Sequence, residues 1–493
     1  MPSPATLPAS DQLPPSAAAS DRRYEVRLTP LEEYMLADDR RRYPRTFVVT
    51  LEFSGIISHD AITAALRQTL ADEPRLTALV RRSGFSGHVW QPVPLRSDIV
   101  EWVADARSVE LATARRIDLR RDPGLRIVVD DRPSGARVHH VFHHACCDGT
   151  GALAFLGRLY AAYSRIICPG QPVQVAAIDP TSICAVHVAE DLPQRIGSES
   201  AAAKAALRRT IDVLGTRAVE LRARCSDSSQ RESDPILFPG SIANVLTSAQ
   251  TRQLKRAARM RCATLNDLLL SAMFCTLRDW NARSDPAAQR AWYRIMAPVD
   301  LRSPAHDRLP AANLVSCVFV TQRGVACNDR ERLLSAVSQR MQYAVGSRSA
   351  LIMFHAIRRL SRVPGLLALV LVAWRVQATA MVSYVGDAGR ALQAMFPLRR
   401  GRCRIGDVEL RQVTATGPVR PGMSVNLTAG VYAGELVLNL ALDPYRFMRA
   451  EAEQFLAHFV EHLLAFADDA RLPAATSDPA VDVLQAMQPN ARD

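Results

Sequence analysis

Between residues 27 and 166 the apolar positions switch repeatedly between helical and strand periods, and the predicted elements alternate accordingly. Arg27 to Asp38 (RLTPLEEYMLAD) places Thr29, Pro30 and Glu32 ahead of an apolar face, which predicts an N-cap, a first-turn proline and a capping box. Thr46 to Phe53 (TFVVTLEF) is β-branched and alternating and predicts a strand. Ser58 to Ala71 predicts a capped helix, and His88 to Val93, Leu125 to Asp130 and Arg137 to Phe142 predict further strands. The last of these runs into a polar loop, His143 to Gly151, followed by an apolar helix from Ala152 to Ile166.

From Glu190 to Pro235 strand signals stop and the chain becomes rich in Ala, Arg and Ser, the composition of an exposed helix and a crossing segment. A second α/β stretch follows. Helices are predicted at Ser248 to Arg259 and at Thr264 to Trp280, the latter behind a Thr264/Asp267 capping pair. Strands are predicted at Trp292 to Pro298, Val315 to Thr321, Ala380 to Val385, Gly406 to Val413, Met423 to Tyr432 and Glu435 to Leu442. The last two are joined by the turn Ala433-Gly434, and Glu451 to Phe466 predicts a closing helix. The expected organisation is a disordered tail at 1–23, an N-terminal subdomain at 24–189 and a linker with helix at 190–235. A C-terminal subdomain at 236–468 and a loose tail at 469–493 complete it. The expected class is α/β, with each subdomain a two-layer α+β sandwich and a cleft between them.

Composition narrows the function classes. The 493 residues are 48% hydrophobic and 22% charged, a globular balance that excludes fibrous and disordered chains. No apolar run reaches the length of about 18 needed to cross a bilayer. The longest, Val363 to Trp374, lies between Arg362 and Arg375 and is expected to be a core helix; a helix resting on a membrane surface is the alternative. The first 20 residues lack a basic start and an apolar stretch, so no secretory signal is expected. Ten cysteines are scattered with no C-x-x-C, which fits a reduced cytoplasm and argues against a zinc cage. The formal net charge of +12 is carried almost wholly by arginine and suits an acidic partner: a phosphorylated cofactor, an acidic carrier protein or an anionic membrane face. The arginines are dispersed and no nucleic-acid signature is present, so nucleic acid is not expected.

The candidate chemistry lies in His143-His144-Ala145-Cys146-Cys147-Asp148-Gly149, an HHxxxDG pattern between a strand end and a helix. A neutral imidazole at such a junction is suited to taking a proton from a hydroxyl or amine near pH 7. Asp148 can hold the loop together, and Gly149 and Gly151 allow turns and close approach. His139 and His140 are expected to be ordinary strand residues, one facing each way. The remaining histidines are read as structural or surface residues. A metal site is not expected, because strand alternation disperses the histidine cluster. Cys146 and Cys147 are poorly placed as nucleophiles, lying on the same short loop as the imidazole.

With these residues in view, the chain resembles the acyltransferases of the chloramphenicol acetyltransferase-like fold. That superfamily includes peptide-synthetase condensation domains, alcohol O-acyltransferases and wax ester synthase/diacylglycerol acyltransferases. The resemblance runs from about Arg27 to about Phe466. Pro298-Val299-Asp300-Leu301-Arg302 with Asn313, Thr264-Leu265-Asn266-Asp267, Ser383-Tyr384-Val385-Gly386 and Met423 to Leu436 are similar to further family segments. Two departures stand out. In Glu73-Pro74-Arg75-Leu76-Thr77 a threonine occupies the place where the arginine that pairs with the motif aspartate is usual, leaving Arg75, Arg81, Arg82 and Arg302 as candidates. Tyr384 and Ala312 replace the usual Asn and Gly.

The resemblance implies two subdomains with a tunnel at their interface. It implies His144 as general base, Asp148 as structural support, His143 as a supporting residue and Gly149 as part of the loop. It also implies direct transfer from a thioester, with acyl-CoA as the expected donor and a hydroxyl as acceptor, and no permanently bound cofactor. A carrier-dependent condensation enzyme making an amide or ester, with an acyl carrier protein as partner, is the alternative; a non-catalytic binding module is the alternative of another class. A monomeric, cytoplasmic enzyme is expected, with peripheral membrane contact open. Arginines are expected at the donor mouth for the CoA phosphates, and a more apolar acceptor mouth opposite.

Overall fold

The computed structural model describes residues 26–469, apart from 85–86, 133–134, 180–181, 183–214, 224–239, 347–356, 364, 374–377, 388–391 and 393. Most of the crossing segment at 190–235 and both expected tails therefore lie outside the described residues.

Local signals produce the elements they predict. Thr29 caps the helix Pro30–Ala37, with its side chain accepting from the Glu32 amide while Glu32 reaches back to the Thr29 N–H. Thr264 and Asp267 do the same for the helix Leu265–Ala282. The strands Val425–Tyr432 and Glu435–Leu442 turn at Ala433 and Gly434, whose φ of 50° and 83° match the positive-φ pair that a tight hairpin requires.

Two large mixed sheets result. The seven-stranded sheet runs Leu398–Arg399, Arg402–Ile405, Val408–Thr416, Thr46–Phe53, Gly135–His143, Leu125–Arg132 and Val100–Val103. The six-stranded sheet runs Val315–Arg323, Trp292–Asp300, Ala380–Asp387, Val425–Tyr432, Glu435–Leu442 and Ser241–Leu246. A three-stranded sheet of Val26–Arg27, His88–Pro92 and Ala78–Arg82 stands beside them. Helices His59–Leu70 and Gly149–Ile167 pack together and share the first sheet's core, where Phe142 meets Phe155 edge-on. Helices Leu265–Ala282 and Arg449–Asp469 share the second core, with Trp280 against Phe455 at 5.3 Å.

The span 236–468, read from the sequence as one unit, divides between the two sheets. Val408–Thr416 pairs antiparallel with Thr46–Phe53, and so carries two further short strands into the sheet of the N-terminal stretch. Its alternation marks it as a strand, but a period of two says nothing about which sheet edge accepts it. The apolar run near 363–374 forms the helix Leu366–Ala373, with Leu367 and Leu371 buried and Leu369 64% exposed, so it is half-covered rather than a core helix. Among the described residues no helix is long and apolar enough to cross a membrane.

Candidate active site

Pairing between Thr46–Phe53 and Gly135–His143 ends at the rung Thr46/His143, so His144 is the first residue beyond the ladder. Its N–H donates to the Arg45 carbonyl at 2.7 Å, and the Cys146 N–H returns to the His143 carbonyl at 2.9 Å, closing the loop. Asp148 is extended and caps the next helix, its carboxylate accepting from the Gly151 N–H at 2.8 Å. Such a cap contributes about 1 kcal/mol, and it starts the helix at Gly149 rather than at the Ala152 expected from apolar spacing.

His144 is half-buried with its ring 5.1 Å from that of Phe47. Nδ1 is buried without a hydrogen-bond partner, which leaves Nε2 as the ring nitrogen open to the cavity that the side chain lines. Burial, opposed by its own backbone carbonyl and reinforced by the Arg45 charge, brings the His144 pKa down to about 4. The imidazole is therefore neutral and able to accept a proton at physiological pH. His143 is fully buried. Its Nδ1 accepts from the Ala145 N–H at 3.1 Å, and its Nε2 lies 3.7 Å from Asp39 Oδ2, an electrostatic contact longer than a hydrogen bond. Burial works against the Asp39 carboxylate, but His143 and Arg116 hold its pKa below the usual range.

Arg302 supplies the missing partner of Asp148. The two form a bidentate pair, Nη1 to Oδ2 and Nη2 to Oδ1 both at 3.0 Å, while the Leu314 N–H donates to Oδ2 at 2.7 Å. Of the other candidates, Arg75 lies 2.9 Å from Glu32 in a buried pair, and Arg81 and Arg82 are exposed. Thr77 leaves its carboxylate-binding role to a residue of the second half. Asn313 Nδ2 donates to the carbonyls of His144 and Ala145, each at 2.9 Å, and the Ala311 N–H donates to Glu73 Oε2 at 2.7 Å. The segment 300–314 thus clamps the motif loop at the junction of the two halves. The close approach depends on Gly151, where an added Cβ would lie 2.8 Å from the Ala312 carbonyl oxygen. At Gly149, by contrast, a Cβ would meet only Val385 at 3.9 Å, so the expected steric need for glycine holds at Gly151 and not at Gly149, which lines the cavity.

Cys146 and Cys147 are fully buried, and burial pushes both thiols far above their ordinary pKa, away from nucleophilic thiolate. His140 is buried between the Val49 carbonyl and the Tyr160 hydroxyl, each at 3.1 Å. His139 faces the other way, bonded to Thr50 at 2.9 Å. Burial lowers the pKa of His139 to about 4 and of His140 to about 3. Folded-state values below the ordinary 6.5 mean that the unfolded chain takes up protons first. Stability therefore falls as pH drops from about 6.5 towards 4 through these three histidines. Imidazole nitrogen shifts of His139, His140 and His144 are expected to stay constant from pH 8 to 5; a midpoint near 6.5 for any of them would contradict the burial account.

The cavity at His144 has a volume of about 180 Å³ and draws its lining from both halves, chiefly from apolar side chains such as Met35, Phe47, Met296, Met381 and Val385. Asp39 and Arg45 were not singled out from the sequence; their signal was the charge-dense DDRRRYPR segment entering the strand beside the motif.

A floor of one sheet, a second sheet opposite and the motif loop between them make up the fold of chloramphenicol acetyltransferase-like enzymes and condensation domains. Comparison with solved structures agrees. The chain is similar to a variant of the starter condensation domain of rhizomide synthetase in complex with C8-CoA and Leu-SNAC, with a TM-score of 0.62 at 16% identity, covering 92% of this chain and 97% of that one. It is also similar to the TRI3 trichothecene 15-O-acetyltransferase of Fusarium sporotrichioides, with a TM-score of 0.65 at 13% identity over 93% of this chain and 100% of the other. Among curated sequences, an uncharacterized protein of Mycobacterium tuberculosis is 26% identical over 329 residues, 64% of this chain and 70% of its own length. No protein-family model matches.

Proposed function

We propose that the protein is an acyltransferase that moves an acyl group from a thioester, acyl-CoA in this reading, to a hydroxyl acceptor. The observation that carries it is the neutral His144 imidazole with Nε2 open to an apolar cavity between the two halves. Nε2 takes the acceptor proton as the hydroxyl oxygen attacks the thioester carbonyl. Collapse of the tetrahedral adduct breaks the C–S bond, and the departing thiolate takes that proton back from His144 to leave as free thiol. Asp148, Arg302 and Asn313 act as positioning residues, since they hold the loop and do not touch the reacting atoms. The named partners of the similar proteins, C8-CoA in one and an O-acetyl transfer in the other, support the donor and the ester product.

The likeness to a condensation domain supports a second reading, transfer between carrier-bound substrates. The Asp148–Arg302 pair gives the motif aspartate a cationic partner, which supports the catalytic reading over a non-catalytic module. The test is a screen of the purified protein with acyl-CoA donors of two to sixteen carbons against alcohols and amines, read as acceptor-dependent release of free thiol. Ester formation is expected; turnover from carrier-bound donors alone would favour the second reading, and no turnover with either would overturn acyl transfer.

A further inference from the structure

On the face of the seven-stranded sheet turned away from the motif helix, polar side chains run straight across the strands in two rows. Thr414, Thr50 and His139 are successive cross-strand partners, and Gln412, Glu52, Arg137 and Asp130 form the next row. They floor a cleft of about 590 Å³ whose opposite wall includes Asn439 of the six-stranded sheet. Thr414, Thr416 and Asn439 line both this cleft and the His144 cavity, so the two spaces adjoin. Facing sheets ordinarily interdigitate apolar side chains, and a polar floor between them calls for another explanation.

The charges of the cleft are locally balanced. Arg132 pairs with Asp130 at 2.6 Å, Arg137 with Glu52 at 3.0 Å and Arg449 with Glu453 at 3.2 Å. These arginines are thus already matched by carboxylates, unlike the phosphate-binding mouth expected from the sequence. The neutral groups are under-used instead. Among the described residues, the side chains of Gln412, Thr414, Thr416 and Asn439 make no hydrogen bond within the protein, and His139 Nε2 has no partner.

We propose that this cleft is the acceptor subsite and that the acceptor is a neutral molecule bearing several hydroxyl groups, an inference that rests on the acyl-transfer reading of His144. A hydroxyl both donates and accepts, so it satisfies threonine, amide and imidazole groups whichever His139 nitrogen carries the proton. A long alkanol would leave the same row unpaired, and sites built for hydroxyls reject partners that lack them. The polar cleft then replaces the apolar acceptor mouth expected from the sequence, and the apolar cavity beside His144 takes the acyl chain.

The test has two arms on the full chain. With octanoyl-CoA as donor, thiol release is expected to rise with a neutral disaccharide or glycerol and not with 1-hexadecanol. In the Thr50→Val/Gln412→Leu double variant the acceptor KM should rise about tenfold or more while the donor KM stays within about twofold, since neither residue lines the His144 cavity. The second arm reads disaccharide binding by saturation-transfer NMR, expected in the wild type and in His144→Ala and lost in the double variant. Preferential use of the alkanol, or disaccharide binding that is absent or unaffected by the double variant, overturns the acceptor assignment. Binding lost in the double variant but accompanied by no transfer from any donor upholds the subsite and overturns the acyl-transfer reading alone.

Discussion

His144→Ala is expected to lower acyl transfer by a factor on the order of 10² to 10⁴, the usual contribution of a positioned general base, while leaving stability nearly unchanged. The backbone bonds that close the loop, from the His144 N–H to Arg45 and from Asn313 to the His144 carbonyl, do not depend on the imidazole. What the side chain loses is a tilted contact with Phe47 and a buried Nδ1 that makes no hydrogen bond to another residue. The two readouts are kcat from thiol release and the thermal midpoint. Full turnover by a folded His144→Ala protein would remove the base assignment, and a large fall in the midpoint would show that the ring is a structural element.

Much of this architecture is legible along the chain because its signals are local. Thr29 with Glu32, Thr264 with Asp267 and Ala433-Gly434 each specify their geometry within four residues, and each element forms where the pattern places it. The HHxxxDG loop is equally local: Asp148 caps the helix it precedes. What the chain conceals is long-range choice. Val408–Thr416 reads as a strand, but its selection of Thr46–Phe53 as partner depends on an edge built more than 350 residues earlier. Ser241–Leu246 is mostly exposed or half-exposed and lacks a continuous apolar signal, so its place at the edge of the six-stranded sheet is invisible locally. The same holds for the site. Arg302 could be named as one of four candidates, but only the fold brings its guanidinium to Asp148 across 154 positions.

That cross-half pair carries the second large effect. Arg302→Met is expected to cost about 3 kcal/mol of stability, towards the low end for breaking a buried ion pair, because the Arg302 side chain keeps 17% exposure. The cost arises from Asp148, which is 3% exposed and would be left with only the Gly151 and Leu314 N–H donors as partners. Asp148→Asn should cost less. An amide can still accept the Gly151 N–H, and Arg302 retains Asp300 and the Ala312 carbonyl as acceptors. Arg302→Met with Asp148→Asn together should then cost less than the sum of the singles, since the first change no longer strands a carboxylate. Activity should fall in both single variants through kcat, because the segment bearing Arg302 also carries Asn313, the clamp on the His144 carbonyl. Urea unfolding of the four proteins of this cycle supplies the coupling energy. Additive costs within about 0.5 kcal/mol would mean that Asp148 and Arg302 act independently, and the clamp between the two halves would then have to be sought in Glu73, Ala311 and Asn313 instead.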